Sequence, residues 1–356
     1  MVLTRFICGL ALAFILIASA AGMVLSQKSP STTKGTLERI KVHGKSLEGN
    51  LEGETADPDV SIYLPPRYET NRNRRYPVIY LLHGYGLTDQ YWTGLSNIVA
   101  GVNVPEAIGV NVPEAMDKDI AAGLAGEMIV VMPNAYTKYA GSMYSSSVTT
   151  GDWEAYIADD LVSYMDKNYR TIPNRMSRGI AGHSMGGYGA IRIAMKRPDV
   201  FSSMYNLSAC CLLNDPVPQQ EGTRGEGARR NPIFAKVNQA LAAAWSPNPK
   251  NPPDYFDMPV KEGRAQPLVV AKWYANAPLA MADQYATNLK KFHALAGDVG
   301  LQDNLITTNK QLEEVLINLG IAYKLETYEG DHMNRIAERI EKHVLPFFSR
   351  NLAFGK

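Results

Sequence analysis

Ser184 stands in the stretch RGIAGHSMGGYGAI, residues 178–191, with Gly182 two positions before it and Gly186 two after. The apolar residues ahead of it read as a strand, and the residues from Gly186 to Lys196 read as a helix. Gly182-His183-Ser184-Met185-Gly186 therefore matches G-x-S-x-G at a strand-to-helix turn. A serine on so sharp a turn needs neighbours without side chains. Its Oγ is lifted above the sheet and lies at the start of a helix, where free N–H groups and the helix dipole favour a developing negative charge. That arrangement suits a nucleophile.

A serine hydroxyl is a weak nucleophile without a base. Six histidines are available. His43 belongs to the first strand, His83 precedes a glycine loop, and His183 lies inside the turn itself. His293 falls in a strand and His343 on the last helix. His332, in YEGDHMNR, sits on the loop between the last strand and the last helix. The chain order serine, acid, histidine places a general base there. The acid should follow the preceding strand, KKFHALAGDVGLQDN, where Asp298 and Asp303 compete. Asp303 has a plain alternative as a helix N-cap. An oxyanion site needs two backbone donors. Met185 N–H supplies one, and the loop after YPVIYLLHGYG (76–86) supplies the other, assigned to Tyr85 N–H with Gly84 or Gly86 as alternatives.

The elements that must position these groups alternate. TLERIKVHG and DVSIYLPPRY read as an early antiparallel pair. YPVIYLLHGYG, EMIVVMPNA (127–135), RGIAG and VFSSMYNLSA (200–209) read as strands, the near-continuous apolar ones being covered on both faces. DWEAYIADDLVSYMDKNY (152–169) has helical spacing, with Ile157, Leu161, Tyr164 and Met165 on one face. This pattern predicts an α/β fold, a mostly parallel central sheet with helices on both faces. Residues 213–290 interrupt it with turn-rich and proline-rich stretches and read as a cap-like insertion before the penultimate strand. Loop aromatics Tyr85, Tyr91, Trp92, Tyr136, Tyr139 and Tyr144 are candidates for a sugar or phenolic site, with packing as the alternative. The tandem octapeptide GVNVPEAI-GVNVPEAM, residues 101–116, reads as a duplication tolerated on a surface loop.

Composition narrows the classes. The chain has 356 residues, 46% hydrophobic and 20% charged, with a formal net charge of +1. No electrostatic signal points to nucleic acid. Zinc-type Cys/His spacings and phosphate-binding glycine loops are missing, so no metal or cofactor is expected. No obligatory protein partner is evident. Residues 1–20 carry Arg5, an apolar run and Ala18-Ser19-Ala20, the pattern of a cleaved secretory signal peptide, with an N-terminal membrane anchor as the alternative. Residues 21–35 read as a disordered linker and 36–356 as one catalytic domain. The expected location is secreted or periplasmic. After cleavage only Cys210 and Cys211 remain, read as two buried free thiols, with a strained vicinal disulfide as the alternative.

YPVIYLLHGYG, GEMIVVMPNA, YRTIPNRMSRGIAGHSMGGYGAIRIAMKRPDVFSS, DVGLQDN and YEGDHMNR together resemble the Putative esterase family of α/β-hydrolases, which includes esterase D, feruloyl esterases and mycolyltransferases. The resemblance runs from about Val60 to Phe348, interrupted by the insertion. It implies the α/β-hydrolase fold and a Ser184–Asp303–His332 triad. The acid of that family follows its strand as G-x-x-D, which Gly300–Asp303 matches, so Asp303 is favoured over Asp298. The implied function is an exported serine carboxylesterase acting on short acyl, sugar-linked or phenolic esters. A feruloyl or acetyl-xylan-type esterase, an acyltransferase, and a non-enzymatic binding protein are the alternatives.

Overall fold

In a computed structural model of the chain, residues 34–95, 98–99, 102–103, 110–213 and 236–355 are described. The expected signal segment 1–20, most of the expected 21–35 linker and residues 214–235 lie outside them. Eight strands form the central sheet: β1 (Thr36–Lys41), β2 (Asp59–Leu64), β3 (Val78–Leu82), β4 (Ile129–Pro133), β5 (Arg178–His183), β6 (Ser203–Leu207), β7 (Ala294–Gly300) and β8 (Tyr323–Tyr328). Their spatial order is β1-β2-β4-β3-β5-β6-β7-β8. β1 and β2 pair antiparallel, as the sequence predicts, and β2 meets β4 antiparallel. Every other neighbouring pair is parallel. β3 pairs with β4 on one side and β5 on the other, so the strand order reverses there. Crevices at the carboxyl ends of strands beside such a reversal are where α/β sheets bind ligands.

Alternation along the strands explains their apolar runs. Val78, Tyr80 and Leu82 of β3 face one core, while Ile79 and Leu81 face the other. Ile129 and Val131 of β4 repeat the first direction, and Val130 and Met132 the second. With both faces covered, no position is free to be polar. The first core is closed by a long helix, α2 (Trp153–Ala155) and α3 (Leu161–Asn168) joined through a π-helical turn at Tyr156–Asp160, and by α4 (Met185–Lys196). The second is closed by α1 (Val112–Ala121) and the C-terminal helix, which runs from Ile336 to Asn351.

The tandem octapeptide departs from expectation. Its second copy is no surface loop. The Asn111 side chain accepts from Glu114 N–H at 3.2 Å and caps α1, Pro113 occupies the first turn, and Val112, Ala115 and Met116 are buried. A good cap followed by apolar residues at helical spacing outweighs the duplication's origin. Most of the first copy lies outside the described residues. Strand ends also differ slightly: His43 follows β1 and is exposed, with carboxylates Asp57 and Glu48 at 3.0 Å, and His293 immediately precedes β7.

Within residues 236–290, three helices follow one another: α5 (Val237–Trp245), α6 (Pro267–Ala275) and α7 (Pro278–Leu289). The last helix spans the crossover that parallel β6 and β7 require. Among the described residues no helix is long and apolar enough to cross a membrane, and no group of three or more side chains is placed to hold a metal ion.

Candidate active site

β5 ends at His183 and α4 begins at Met185, so the chain reverses within one residue, Ser184. Ser184 pays with a left-handed φ of 56° and ψ of −113°. Such backbone costs about 1–3 kcal/mol and persists only where its surroundings hold it. Ser184 N–H donates to Leu207 O at 2.9 Å, and Ser184 O accepts from Tyr188 N–H at 3.0 Å and Cys210 N–H at 3.1 Å. The flanking glycines have a steric cause. A Cβ on Gly182 would overlap the Gly186 carbonyl group, and one on Gly186 would overlap the carbonyl oxygen of Leu82 in β3. Any side chain at either position would push the nucleophile turn off the sheet.

Residues far apart in the chain converge here. His332 Nε2 lies 2.9 Å from Ser184 Oγ, and His332 Nδ1 lies 2.8 Å from Asp303 Oδ2. An ionised carboxylate can only accept, so the proton sits on Nδ1 and Nε2 is free to accept from the Ser184 hydroxyl. Asp303 is buried at 3% exposure. Burial pushes its carboxyl upward, but the hydrogen bond and charge of His332 and the Leu305 N–H outweigh it, leaving the group below its ordinary value. It is ionised at neutral pH. Asp303 is not the helix N-cap of its alternative: Leu305 holds that place before α8 (Ile306–Asn318), and Asp303 Oδ1 instead accepts from Leu305 N–H at 2.9 Å in the turn ahead of it. The two oxygens divide between the helix start and the histidine.

Asp298 sits elsewhere. It is within β7, fully buried, and its Oδ2 accepts from Tyr205 Oη and Arg339 Nε, both at 2.8 Å. It belongs to an internal ion pair beneath the sheet's edge. Asp331, beside His332, builds the loop: its Oδ1 accepts from Met333 N–H at 2.8 Å and Asn334 N–H at 2.9 Å.

Two contributors escaped the sequence reading. Gln302 N–H donates to Gly330 O at 3.0 Å, while Gln302 Oε1 accepts from Gly330 N–H at 2.7 Å. This clasp ties the loop carrying Asp303 to the loop carrying His332. Its place beside Asp303 in GLQD was the one available signal. The second is His183. Its Nε2–H donates to the His332 carbonyl at 2.9 Å, and the two rings lie 4.7 Å apart. Burial, together with the nearby His332, lowers its pKa to about 3, so it stays neutral.

At the oxyanion position, Met185 is the first residue of α4, and its amide has no intrahelical acceptor. In the β3 loop, Gly86 N–H donates to Ala140 O at 2.8 Å and Leu87 N–H to Gly84 O at 3.2 Å. Gly86 is thereby spoken for. Tyr85 N–H has no acceptor among the described residues. His83 underpins this loop: its Nε2 accepts from Ala135 N–H at 2.8 Å, and burial lowers its pKa to about 4. Gly141 packs where a Cβ would strike Met185 Sδ and Tyr85 Cδ2, so the two donor residues adjoin one another. Of the loop aromatics, Tyr91, Trp92, Tyr139 and Tyr144 are buried in packing, which leaves Tyr85, half-buried, and Tyr136, 40% exposed.

The fold and the elbow define an α/β-hydrolase. The profile of the family described as Putative esterase matches residues 55–335, and the chain belongs to that family. It is 28% identical over 194 residues to an endo-1,4-beta-xylanase/feruloyl esterase of Xylanibacter ruminicola, covering 52% of this chain and 24% of that one. It is 27% identical over 198 residues to an S-formylglutathione hydrolase of Bos taurus, covering 53% and 62%. The chain thus spans less than two thirds of these relatives' lengths. Among solved structures, a ferulic acid esterase superposes with a TM-score of 0.64 at 21% identity, covering 90% of this chain and all of that one. A fluorophosphonate-binding serine hydrolase of Staphylococcus aureus gives 0.60 at 18%, covering 89% and 99%.

Proposed function

We propose that the protein is an exported serine carboxylesterase that hydrolyses short acyl, sugar-linked or phenolic esters through an acyl-enzyme. The carrying observation is the pair of hydrogen bonds that runs from Asp303 through His332 to Ser184. In this reading Ser184 Oγ attacks the ester carbonyl while His332 Nε2 takes its proton. Asp303 holds the tautomer that makes this possible and stabilises the imidazolium. The N–H groups of Met185 and Tyr85 receive the oxyanion. His332 then protonates the departing alcohol, water attacks the acyl-Ser184 ester, and the acid leaves. Export rests on the signal-like sequence of residues 1–20.

Feruloyl esterases among the relatives and neighbours support the phenolic part of the substrate range. Initial rates on p-nitrophenyl acetate and methyl ferulate, with Ser184→Ala as blank, test the reading. Acetate turnover alone, abolished in the variant, marks a short-acyl esterase. Equal or better ferulate turnover marks a phenolic esterase. Turnover of neither above the blank overturns the proposal.

A further inference from the structure

Cys210 and Cys211 lie on the segment that leaves β6 and passes under the nucleophile turn. Both are free and half-buried, and their Sγ atoms are 2.7 Å apart. Consecutive side chains of an extended chain point to opposite sides. Here a left-handed φ of 61° at Cys211 turns both thiols to the same side. The segment is a rigid carrier. Ser208 N–H donates to Asp298 O at 2.8 Å, Asn309 Nδ2 to Ala209 O at 3.0 Å, and Leu279 N–H to Leu212 O at 3.0 Å. The Cys210 amide donates to Ser184 O at 3.1 Å. Two thiols in contact with one another are therefore tied to the nucleophile through the Cys210 main chain.

We infer that Cys210 and Cys211 are a reversible dithiol–disulfide site that turns down Ser184 when oxidised. The inference rests on the reading of Ser184 as the nucleophile. The oxidant is a low-molecular-weight disulfide. The Cys211 thiolate attacks one of its sulfurs, and a mixed disulfide forms as one small thiolate leaves. Cys210 then loses its proton and attacks the Cys211 sulfur, and the second small thiolate leaves. The pair gives up two electrons and two protons, and one small disulfide becomes two thiols. Cys211 attacks first because the adjoining Cys211 thiol and burial hold the Cys210 thiol in its protonated form, well above its ordinary pKa.

The site is built to be reversible. Adjacent Cα atoms are only ~3.8 Å apart, whereas unstrained disulfides span about 4.4–6.8 Å. A strained bond of this kind is readily reduced. Closing the ring pulls on the Cys210 amide that holds the Ser184 carbonyl. Ser184 keeps its left-handed conformation only through such neighbours, so the oxidised enzyme is the less active one.

The test equilibrates the full-length protein across ratios of oxidised to reduced glutathione, then reads alkylation, intact mass and esterase rate together. The expected result is a single transition in which the 210–211 peptide loses two hydrogens and retains no glutathione. Over the same transition kcat/KM falls at least fivefold, and added reductant restores it. Cys211→Ala should abolish the response. Coupling between two sites is reciprocal, so Ser184→Ala should shift the redox ratio at half-oxidation by at least twofold, a readout that needs no turnover. Full alkylation of both thiols at every ratio overturns the inference. So does a disulfide that leaves the rate within twofold, or a midpoint unmoved in Ser184→Ala. Absence of esterase activity in the reduced protein contradicts the hydrolase reading instead, and the midpoint shift then decides the coupling alone.

Discussion

His183 donates its Nε2–H to the main-chain carbonyl of His332 at 2.9 Å, and the two rings lie 4.7 Å apart with their planes tilted by 40°. The residue next to the nucleophile thus holds the backbone of the base. His183 and His83 are both fully buried, with pKa values lowered to about 3 and about 4. A lowered pKa means that the unfolded chain binds protons the native state refuses. The stability these two provide is complete above the unfolded value near 6.5 and is lost as pH falls toward 4 and 3. Near pH 5 they should contribute a slope of about 2.5 kcal/mol per pH unit. Denaturant unfolding between pH 7 and 4.5 should show His183→Asn with a slope shallower by roughly half that amount. An unchanged slope would mean that His183 is charged in the native state.

The two aspartates should separate cleanly. Asp303→Asn removes the acceptor that fixes the His332 tautomer and should lower kcat by about 10⁴ with stability little changed. Asp298→Ala removes one of the two carboxylates on Arg339, whose side chain is 5% exposed and keeps Glu326 at 3.0 Å, and should cost about 2 kcal/mol of stability. The folded fraction should keep its kcat within a few-fold. The opposite pattern in paired melts and kinetics would exchange their roles.

Gln302→Ala removes the side-chain half of the clasp between the two catalytic loops without touching a reacting atom. Loss of registration of that kind costs up to about 10²-fold. A fall in kcat of roughly tenfold is expected, with KM little altered. A change confined to KM would place Gln302 in substrate binding.

Tyr85 is assigned a role through its amide alone. Its hydroxyl is buried and has no partner among the described residues. Tyr85→Phe should therefore leave kcat on p-nitrophenyl acetate within about twofold, since the backbone donor is retained. A hundredfold loss would show that the phenol itself takes part.

Much of this arrangement was legible in the sequence because it rests on local rules. G-x-S-x-G needs its glycines for reasons of space that hold in any such turn, and His332 follows from chain order. The apolar runs of β3 and β4 announce strands covered on both faces. Asp298 and Asp303 could not be separated by periodicity, because both lie at the end of one strand. What divides them is where Arg339 and His332 arrive, from 41 and 29 residues further along. The Gln302 clasp and the His183 support escaped for the same reason: each is a hydrogen bond to a main-chain group distant in the chain. The octapeptide's repetition masks the capping chemistry of Asn111 and Pro113, which starts a helix.

The most direct test of the central claim is to trap the acyl-enzyme. The protein is mixed with p-nitrophenyl acetate, quenched in acid during turnover, digested and mapped by mass. The account predicts one acetyl group on the peptide containing Ser184, absent from Ser184→Ala, with a burst of nitrophenol matching the enzyme concentration. Steady turnover with no adduct on Ser184, or with the acetyl group on another residue, would contradict it.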